Sequence, residues 1–473
     1  MQRLAVDICV IGAGSGGLSV AAAASQMGAK TVLIEKAKMG GDCLNYGCVP
    51  SKSLLAAAHA AETAGKASRF GVDCPAPKID EARVYGHVRS VIAAIAPNDS
   101  TERFEGFGVK VIHAAGKFVA PREVEAGDYR ISARRFVIAT GSGPAIPPVP
   151  GLDSVPFDSN ETIFDRTSLP RRLLVIGGGP IGLEMAQAHR GLGAEVTVLE
   201  RFKILPKDDP ELTVILRDLL MRDGIRIAEQ AEILKVEKSG SGVSAAVRID
   251  GKDERIEATD ILVAAGRKPT LDGLGLDAAG IAYTPKGVTV DAHLRTTNKH
   301  VYAIGDAAGP YQFTHMAGYH AGIVIRNALL RLPAKVDYRA VPWVTYTDPE
   351  LAHVGMSEQH ARDRKLPFRV LRWPFHENDR AQAERVTDGL VKVIATPRGR
   401  VLGASILGAH AGDLIQTWGL AIAQGLKVSA LAGMIAPYPT LGEVNKRAAG
   451  SFYTAALFSP KVRRLVRFLA LFG

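Results

Sequence analysis

An α/β fold is predicted by three observations on the 473-residue sequence. A short apolar strand, a glycine-rich turn, a helix and a second strand occur in that order at residues 6–36. The same pattern recurs at 173–200. Near Pro342 the pattern changes to alternating apolar residues, which indicate antiparallel strands, followed by helices. Together these features predict two Rossmann-like dinucleotide-binding domains plus a C-terminal α+β domain.

The first unit carries a G-x-G-x-x-G turn formed by Gly12, Gly14 and Gly17. One glycine allows the tight turn, one lets the backbone approach a pyrophosphate, and one lets the helix and strand pack closely. The N–H groups at the start of the following helix favour a phosphate there. Glu35 closes the second strand, where a carboxylate can accept hydrogen bonds from a ribose diol. This unit therefore predicts a dinucleotide cofactor.

The second unit repeats the arrangement with Gly177, Gly179, Gly182 and, at the end of its second strand, Glu200. A carboxylate at that position would repel a 2′-phosphate and so favours NADH over NADPH. Arg201 beside it acts in the opposite direction.

Composition and charge exclude several classes of protein. Hydrophobic residues make up 47% of the chain and charged residues 22%, which is typical of a globular protein. The net charge of +10 is spread thinly along the chain, so we expect anionic cofactors rather than nucleic acid as partners. Four cysteines do not form a disulfide framework, which favours a reducing compartment, the cytoplasm. The sequence predicts neither a signal peptide nor a membrane span.

Cys43 and Cys48 form a closely spaced pair in the segment GGDCLNYGCVPSK. If a helix starts there, its dipole lowers a thiol pKa, and two such cysteines can pass two electrons by thiol–disulfide exchange. The alternative is a pair of buried cysteines or half of a metal site. No second cysteine pair or nearby histidine cluster completes a zinc site, so no metal site is expected.

This segment closely resembles the redox-active motif of the class I pyridine nucleotide–disulfide oxidoreductases. That family includes dihydrolipoamide dehydrogenase, glutathione reductase and mercuric reductase. The resemblance covers essentially the whole chain, in the order and spacing of the two glycine turns and of four further stretches. These are ATG at 139–141, AAGRKP at 264–269, AIGDAAG at 303–309 and TDPELAHVG at 347–355.

The resemblance implies a homodimer with FAD on the first glycine turn and NAD(P)H on the second. It places an FAD-binding domain at 1–147 and 271–337, an NAD(P)-binding domain at 148–270 and a dimerisation domain at 338–473. It also implies that Asp306 bonds the ribityl chain and that a helix opening near His315 faces the flavin. Thr140, Gly141 and Gly266 are the remaining expected cofactor contacts.

The resemblance also implies roles around the cysteines. Cys48 would be the thiol that contacts the flavin, and Cys43 the thiol that meets the substrate. Lys52 would lie near the flavin, with Glu184 as its ion-pair partner. Electrons would pass from NAD(P)H through the flavin to the Cys43–Cys48 disulfide and on to a small disulfide or other oxidised substrate.

One motif departs from the family. Disulfide reductases carry His-Pro-Thr-x-x-Glu in the C-terminal domain, and its histidine is the acid/base for the interchange thiol. The matching stretch here begins with Tyr438 and ends with Glu443. A phenol with an ordinary pKa near 10 is poorly suited to proton transfer at neutral pH.

Mercuric reductases also place a tyrosine at this position, so reduction of a metal ion or another oxidant is the alternative function. Those enzymes end in a cysteine pair, however, and no cysteine follows Cys74 here. A third hypothesis, a dinucleotide-binding protein without catalysis, is disfavoured by the intact pair of Cys43 and Cys48.

Residues 461–473 mix lysine and arginine with large apolar residues. This segment could form a basic amphipathic helix on anionic lipid or a terminal helix packed on the partner subunit. From sequence we favour the partner subunit.

Overall fold

The computed structural model describes residues 1–472 and forms two compact units. The first unit comprises 1–201 and 228–336, and the second comprises 202–227 and the chain from 337 onwards. The predicted fold class, α/β with a C-terminal α+β domain, is confirmed. The domain boundaries expected from the sequence stay a prediction.

The strands, in chain order, are β1 (Gln2–Ile11), β2 (Thr31–Glu35), β3 (Lys110–His113), β4 (Gly116–Ala120), β5 (Glu123–Ala126), β6 (Tyr129–Ile138), β7 (Ser142–Pro144), β8 (Arg172–Ile176), β9 (Glu195–Leu199), β10 (Ile225–Ala228), β11 (Glu232–Ser239), β12 (Gly242–Ile249), β13 (Lys252–Ala258), β14 (Asp260–Val263), β15 (Arg267–Pro269), β16 (Tyr283–Thr284), β17 (Gly287–Val288), β18 (Val301–Ala303), β19 (Pro342–Thr345), β20 (Glu350–Gly355), β21 (Arg369–Pro374), β22 (Leu390–Ala395) and β23 (Val401–Gly408).

The α-helices are α1 (Ser15–Gln26), α2 (Gly41–Asn45), α3 (Cys48–Gly65), α4 (Glu81–Ile95), α5 (Thr101–Gly106), α6 (Pro180–Gly191), α7 (Pro210–Arg222), α8 (Thr314–Ala328), α9 (Glu358–Asp363), α10 (Asp379–Glu384), α11 (Ala411–Ala423), α12 (Val428–Gly433), α13 (Glu443–Leu457) and α14 (Pro460–Leu469). Among the described residues, no helix is both long and apolar enough to cross a bilayer.

The largest sheet of the first unit has the order β3-β2-β1-β6-β5-β4. Strand β18 also pairs with β6, at residues 136–138, whereas β5 pairs with it at residues 129–132. Strands β3, β2, β1, β6 and β18 pair in parallel, whereas β6, β5 and β4 pair antiparallel. Alternate residues of β1 enter two cores: Ile8 and Val10 pack on one face, Cys9 and Ile11 on the other. Burial on both faces explains why the last four residues of β1, at 8–11, are all apolar.

A second parallel sheet of the same unit pairs β9, β8 and β14. Beside it, β11, β12 and β13 form an antiparallel sheet. The two glycine turns follow the carboxyl ends of β1 and β8, the edge at which open parallel sheets bind ligands.

The second unit is built on a five-stranded antiparallel sheet in the order β19-β20-β23-β22-β21. The alternating pattern seen in the sequence from Pro342 onwards is therefore confirmed as antiparallel strands. Its core includes the fully buried Trp418, whose indole donates to Asn445 Oδ1 at 2.7 Å. The buried His353 bonds Ser405 Oγ at 2.8 Å through Nδ1, and burial lowers its pKa to about 4.

A buried charge cluster holds α7 within this unit. Lys392 on β22 is 4% exposed, and its ammonium lies 2.8 Å from Asp209, 2.9 Å from Glu211 and 2.8 Å from Glu358. Arg372 adds a two-pronged contact to Glu211. Since an unpartnered buried ammonium is costly, these carboxylates fix the segment 202–227 on the C-terminal sheet.

Candidate functional site

The first glycine turn has the shape of a phosphate cradle. Gly12 has φ +105°, and a Cβ there would lie 2.4 Å from the Ala139 carbonyl oxygen. A Cβ on Gly17 would lie 1.8 Å from the Gly12 carbonyl oxygen, so strand and helix could not approach. At Gly14, the residue before α1, a Cβ would meet nothing within 4 Å. The turn thus leaves open space where the helix presents its N–H groups.

The second turn has nearly the same φ angle and the same close Cβ distances as the first. Gly177 has φ +115°, and a Cβ there would lie 2.4 Å from the Ala264 carbonyl oxygen. A Cβ on Gly182 would lie 2.0 Å from the Gly177 carbonyl oxygen, and Gly179, before α6, again faces open space. Because the two turns share this backbone geometry, we expect both to bind a ligand of the same class, a dinucleotide.

Each turn also fixes its acidic residue by a backbone hydrogen bond. The Ala13 N–H donates to Glu35 Oε2 at 2.6 Å, and the Ala37 N–H donates to Oε1 at 2.7 Å. At the second turn, the Gly178 N–H donates to Glu200 Oε2 at 2.7 Å. Both carboxylates are therefore held at the ends of β2 and β9, where a ribose diol would reach them.

The cysteine pair lies at a junction of two helices. Cys43 is in α2, and Cys48 is the first residue of α3; both are free thiols. Cys48 Sγ lies 3.4 Å from Thr314 Oγ1 at the start of α8. Its pKa is lowered to about 6, chiefly by a hydrogen bond with the Cys43 thiol and further by Thr314 and the Lys52 ammonium. Cys48 is thus the thiolate of the pair at neutral pH.

The partner thiol is shifted in the opposite direction. Its hydrogen bond to Cys48 and its burial raise the pKa of Cys43 above its ordinary value. The two sulfurs are therefore chemically distinct before any ligand binds, one a stabilised anion and the other a proton donor.

Lys52 and Glu184 are brought together by α3 and α6. The Lys52 ammonium lies 2.6 Å from Glu184 Oε2, and the glutamate side chain is 5% exposed while the lysine side chain is 37% exposed. Lys52 follows Cys48 by one helical turn, so its charge lies on the side of the cysteine pair. The sequence alone allowed both to be ordinary surface residues.

A polar network links Asp306 to the loop of Cys43. Ser142 Oγ donates to Asp306 Oδ2 at 2.5 Å, and Arg267 donates to Ser142 Oγ at 2.8 Å. Arg267 also lies 3.1 Å from Asp42 Oδ1, next to Cys43. Burial raises the pKa of the Asp306 carboxyl. The pairing of β7 with β15 sets Arg267 opposite Pro144, two residues along the strand from Ser142.

Three further predicted contacts lie at the ends of these short strands. Thr140 and Gly141 precede β7, and Gly266 precedes β15. Thr140 Oγ1 donates to the Thr270 carbonyl at 2.8 Å, and the Thr270 N–H donates to the Gly141 carbonyl at 3.0 Å. Thr140 therefore joins the segment before β7 to the segment after β15 by a hydrogen bond.

The two histidines of α8 differ. His315 is exposed in the first turn of the helix, and its ring stacks on Phe313 at 5.2 Å between centroids. His320 is buried, and its Nδ1 accepts the Gly305 N–H at 3.1 Å. Burial lowers the pKa of His320 to about 4, so it stays neutral at physiological pH.

Tyr438 and Glu443 belong to the second unit. The Tyr438 hydroxyl donates to Asp379 Oδ2 at 3.0 Å, and that interaction raises the pKa of the phenol. Tyr438 is 71% exposed, and Glu443 is the first residue of α13. The Asn378 amide donates to the Thr440 carbonyl at 3.1 Å and so ties the start of α10 to this loop.

Sequence reasoning missed Thr314 and Asp379. Asp379 lies in the stretch PFHENDR, which follows an apolar strand and carries the asparagine cap of α10. That cap was the available signal for a polar side chain held in a fixed position. Within residues 1–472, no group of three histidine, cysteine, aspartate or glutamate side chains could hold a metal ion.

Comparisons with known proteins identify the family. The family described as pyridine nucleotide-disulphide oxidoreductase matches residues 6–321, and the dimerisation domain of the same family matches 341–449. A mercuric reductase of Bacillus cereus is 35% identical over 449 residues, which cover 94% of this chain and 71% of that protein. A dihydrolipoyl dehydrogenase of Geobacillus stearothermophilus is 34% identical over 456 residues, covering 94% and 95%.

Solved structures show the same fold. The HOCl-induced flavoprotein disulfide reductase RclA of Escherichia coli superposes with a TM-score of 0.84 at 26% identity and covers 94% of this chain and 99% of that one. LpdA of Mycobacterium tuberculosis superposes with a TM-score of 0.86 at 26% identity, covering 95% and 99%.

Proposed function

We propose that this chain, which belongs to the pyridine nucleotide-disulphide oxidoreductase family, reduces a small disulfide substrate through Cys43 and Cys48. Members of this family are class I flavoprotein disulfide reductases that bind FAD and use NAD(P)H, and the dimerisation domain supports a homodimer. The observation that carries the proposal is the pair of free thiols where α2 gives way to α3, with Cys48 Sγ 3.4 Å from Thr314 Oγ1. The opposite pKa shifts of the two thiols support it.

The residues of the first unit fit FAD. The open space at Gly14 suits the pyrophosphate, and the oriented Glu35 carboxylate suits the ribose. Asp306 would hold the ribityl chain, and Lys52 would stand beside the flavin ring with its charge matched by Glu184. When bound there, FAD supplies two-electron transfer between the nicotinamide and the cysteine pair.

The two sulfurs divide the work of disulfide exchange. Cys43, once deprotonated, attacks one sulfur of the substrate disulfide, forms a mixed disulfide and releases the first substrate thiol. The Cys48 thiolate then attacks Cys43 Sγ, which releases the second thiol and closes the Cys43–Cys48 disulfide. The low pKa of Cys48 keeps it ready for that step, because the attacking species is the thiolate.

The departing proton of Cys43 is the weak point of this cycle. Tyr438 stands where the family has a histidine, and its phenol already donates to Asp379. Because that bond raises the phenol pKa, Tyr438 is ionised even less at neutral pH than an isolated tyrosine, and less phenolate is present to take the proton. We therefore expect slow exchange with disulfides.

A second candidate is the reduction of a metal ion, and the same residue favours it. Reduction of a thiolate-bound metal ion does not need a base to deprotonate an interchange thiol, so Tyr438 is no handicap there. The relative from Bacillus cereus named mercuric reductase supports this candidate by its 35% identity over 94% of the chain.

We further propose NADH rather than NADPH as the electron donor. Glu200 directly follows β9, and its carboxylate is held by the Gly178 N–H, so it would set a fixed negative charge at the ribose position. A 2′-phosphate there would meet that charge.

The deciding experiment compares the wild type with Tyr438→His under anaerobic conditions. NADH oxidation would be followed with lipoamide, with glutathione disulfide and with Hg²⁺ as separate acceptors. If disulfides are the substrate class, restoring an imidazole should raise lipoamide turnover by about a hundredfold or more. Cys43→Ser is the control, since it should abolish disulfide turnover and leave flavin reduction by NADH intact.

The alternative outcomes are distinct. Fast Hg²⁺ reduction by the wild type, unchanged by Tyr438→His, would favour the metal-ion function. Disulfide turnover that survives Cys43→Ser would overturn the proposal altogether.

A further inference from the structure

The chain carries a C-terminal amphipathic helix, α14, that the redox function does not use. Pro460 begins it, and Ser459 caps it by accepting the Val462 N–H at 3.4 Å. All ten residues of α14 are described by the structure, and none of them is buried. The matched dimerisation domain ends at 449, before this helix starts.

The apolar side chains and the three arginines of this helix lie on opposite faces. At 100° per residue, the spacing of three and four places one group of apolar residues along a single stripe. These are Val462, Leu465, Val466, Phe468 and Leu469, and Phe472 continues the stripe. Arg463, Arg464 and Arg467 occupy the other side, while Lys461, in the first turn, falls on the apolar side at this spacing.

The apolar stripe is strongly exposed. Leu465 and Leu469 are each 53% exposed, and Phe472 is 75% exposed. Phe468 and Phe472 pack edge to face at 5.2 Å between ring centroids and so form a compact aromatic end. A stripe of this size facing solvent marks an interaction surface.

Charge identifies the occupant. The segment 459–473 contains four cations and no acidic residue. A second copy of the same helix would bring four more cations, so two α14 helices are electrostatically unfavourable as partners for each other. An anionic lipid surface offers negative charge for the arginines and an acyl boundary for the leucines and phenylalanines.

We propose that α14 binds the surface of an anionic lipid bilayer and lies in the plane of the headgroups. Ten residues of helix extend only about 15 Å, which is half of the hydrocarbon thickness, so the helix cannot span it. The apolar stripe would enter the acyl boundary, and the arginine face would contact the phosphates. The enzyme would then be a peripheral protein held at a membrane surface.

Vesicle co-sedimentation of the full-length holoenzyme tests this. One set of vesicles contains phosphatidylcholine alone, and the other contains equal parts of phosphatidylcholine and phosphatidylglycerol. We expect sedimentation with the anionic vesicles only, and weaker sedimentation as salt is raised. The variant R463Q/R464Q/R467Q should lower the partition coefficient about a hundredfold. L465S/L469S should also lower it, because it removes the centre of the stripe.

A matched control separates the helix from the overall charge. Lys78, Lys203 and Arg398 are exposed cations elsewhere in the chain, and K78Q/K203Q/R398Q changes the net charge by the same amount. This control should bind the vesicles like the wild type. All the substituted side chains are exposed, so circular dichroism and flavin content should not change.

Two results would overturn the proposal. One is wild-type protein that stays in the supernatant with anionic vesicles at low salt. The other is binding that the control variant weakens as much as the arginine variant does. A change of oligomeric state in L465S/L469S, measured by sedimentation velocity without any vesicle binding by the wild type, would assign the stripe to a second copy of the chain.

Discussion

The hydrogen bond between the two cysteines can be tested by keeping or deleting its donor. Cys43→Ser retains a hydroxyl that can donate to the Cys48 sulfur, whereas Cys43→Ala removes the donor. Neither variant can form the Cys43–Cys48 disulfide, so Cys48 remains a thiol without added reductant. Since the Cys43 thiol is the main cause of the low Cys48 pKa, the two variants should separate.

The size of the effect follows from the contacts of Cys48. Its pKa is about 6, against an ordinary value of 9.0. A hydrogen bond to a charged group contributes about 1.5–3 kcal/mol. At 1.36 kcal/mol per pKa unit, its loss should raise the pKa by about 1–2 units. Thr314 and Lys52 remain in both variants, so we expect a midpoint near 6 for Cys43→Ser and about 7–8 for Cys43→Ala.

The assay is the rate of alkylation by iodoacetamide as a function of pH, with the Cys48 peptide quantified by mass spectrometry. Peptide resolution is needed because Cys74 is also exposed. The readout is the midpoint and not the rate at one pH, since a thiolate of higher pKa is intrinsically more nucleophilic. Equal midpoints in the two variants, or a midpoint near 9 in Cys43→Ser, would refute the reasoning.

Three further predictions concern other parts of the chain. Lys392→Met should lower the free energy of unfolding by about 3–5 kcal/mol, because it leaves the buried Asp209 carboxylate without its ammonium. Lys427→Met at an exposed position should change it little, and urea unfolding measures both. Gly182→Ala should weaken NADH binding in a fluorescence titration while flavin content is retained, since its Cβ would meet a carbonyl oxygen at 2.0 Å. Between pH 6.5 and 4, unfolded His353 binds a proton that the folded protein does not, so stability should fall with falling pH, and His353→Gln should remove about 1.4 kcal/mol per pH unit of that slope.

These predictions fail on specific results. A Lys392 variant as stable as the Lys427 variant would show that the charge cluster is dispensable. Loss of flavin from Gly182→Ala would indicate general misfolding instead of a local clash. An unchanged pH slope in His353→Gln would mean that this histidine titrates alike in both states.

The two glycine turns show how far local sequence determines structure. Each glycine was assigned a steric task from spacing alone, and the structure places a carbonyl oxygen within 2.0 Å of a Cβ at Gly17 and Gly182. The steric role of each glycine can be predicted because the turn, the strand and the helix are contiguous in the chain. The antiparallel strands after Pro342 were likewise readable from alternation.

Contacts between distant segments could not be read in this way. Thr314 reaches Cys48 across 266 residues, and Tyr438 reaches Asp379 across 59. No local sequence pattern identifies Thr314 as the partner of Cys48 or Asp379 as the partner of Tyr438. The segment 202–227 is a similar case, since Lys392 binds two carboxylates at the start of α7 and one in α9. A single lysine in an apolar strand does not indicate which carboxylates it contacts.

The hydrogen bonds that hold Glu35 and Glu200 have a consequence for cofactor affinity. Each side chain loses its rotational freedom when the protein folds, since a neighbouring backbone N–H already grips the carboxylate. Ordering a glutamate side chain costs about 1.5–2 kcal/mol of entropy. Because that loss is incurred before any ligand arrives, it subtracts from folding stability and not from the free energy of association. Both cofactors would thus meet receptors that are already rigid at the ribose, which favours tight retention over rapid adaptation.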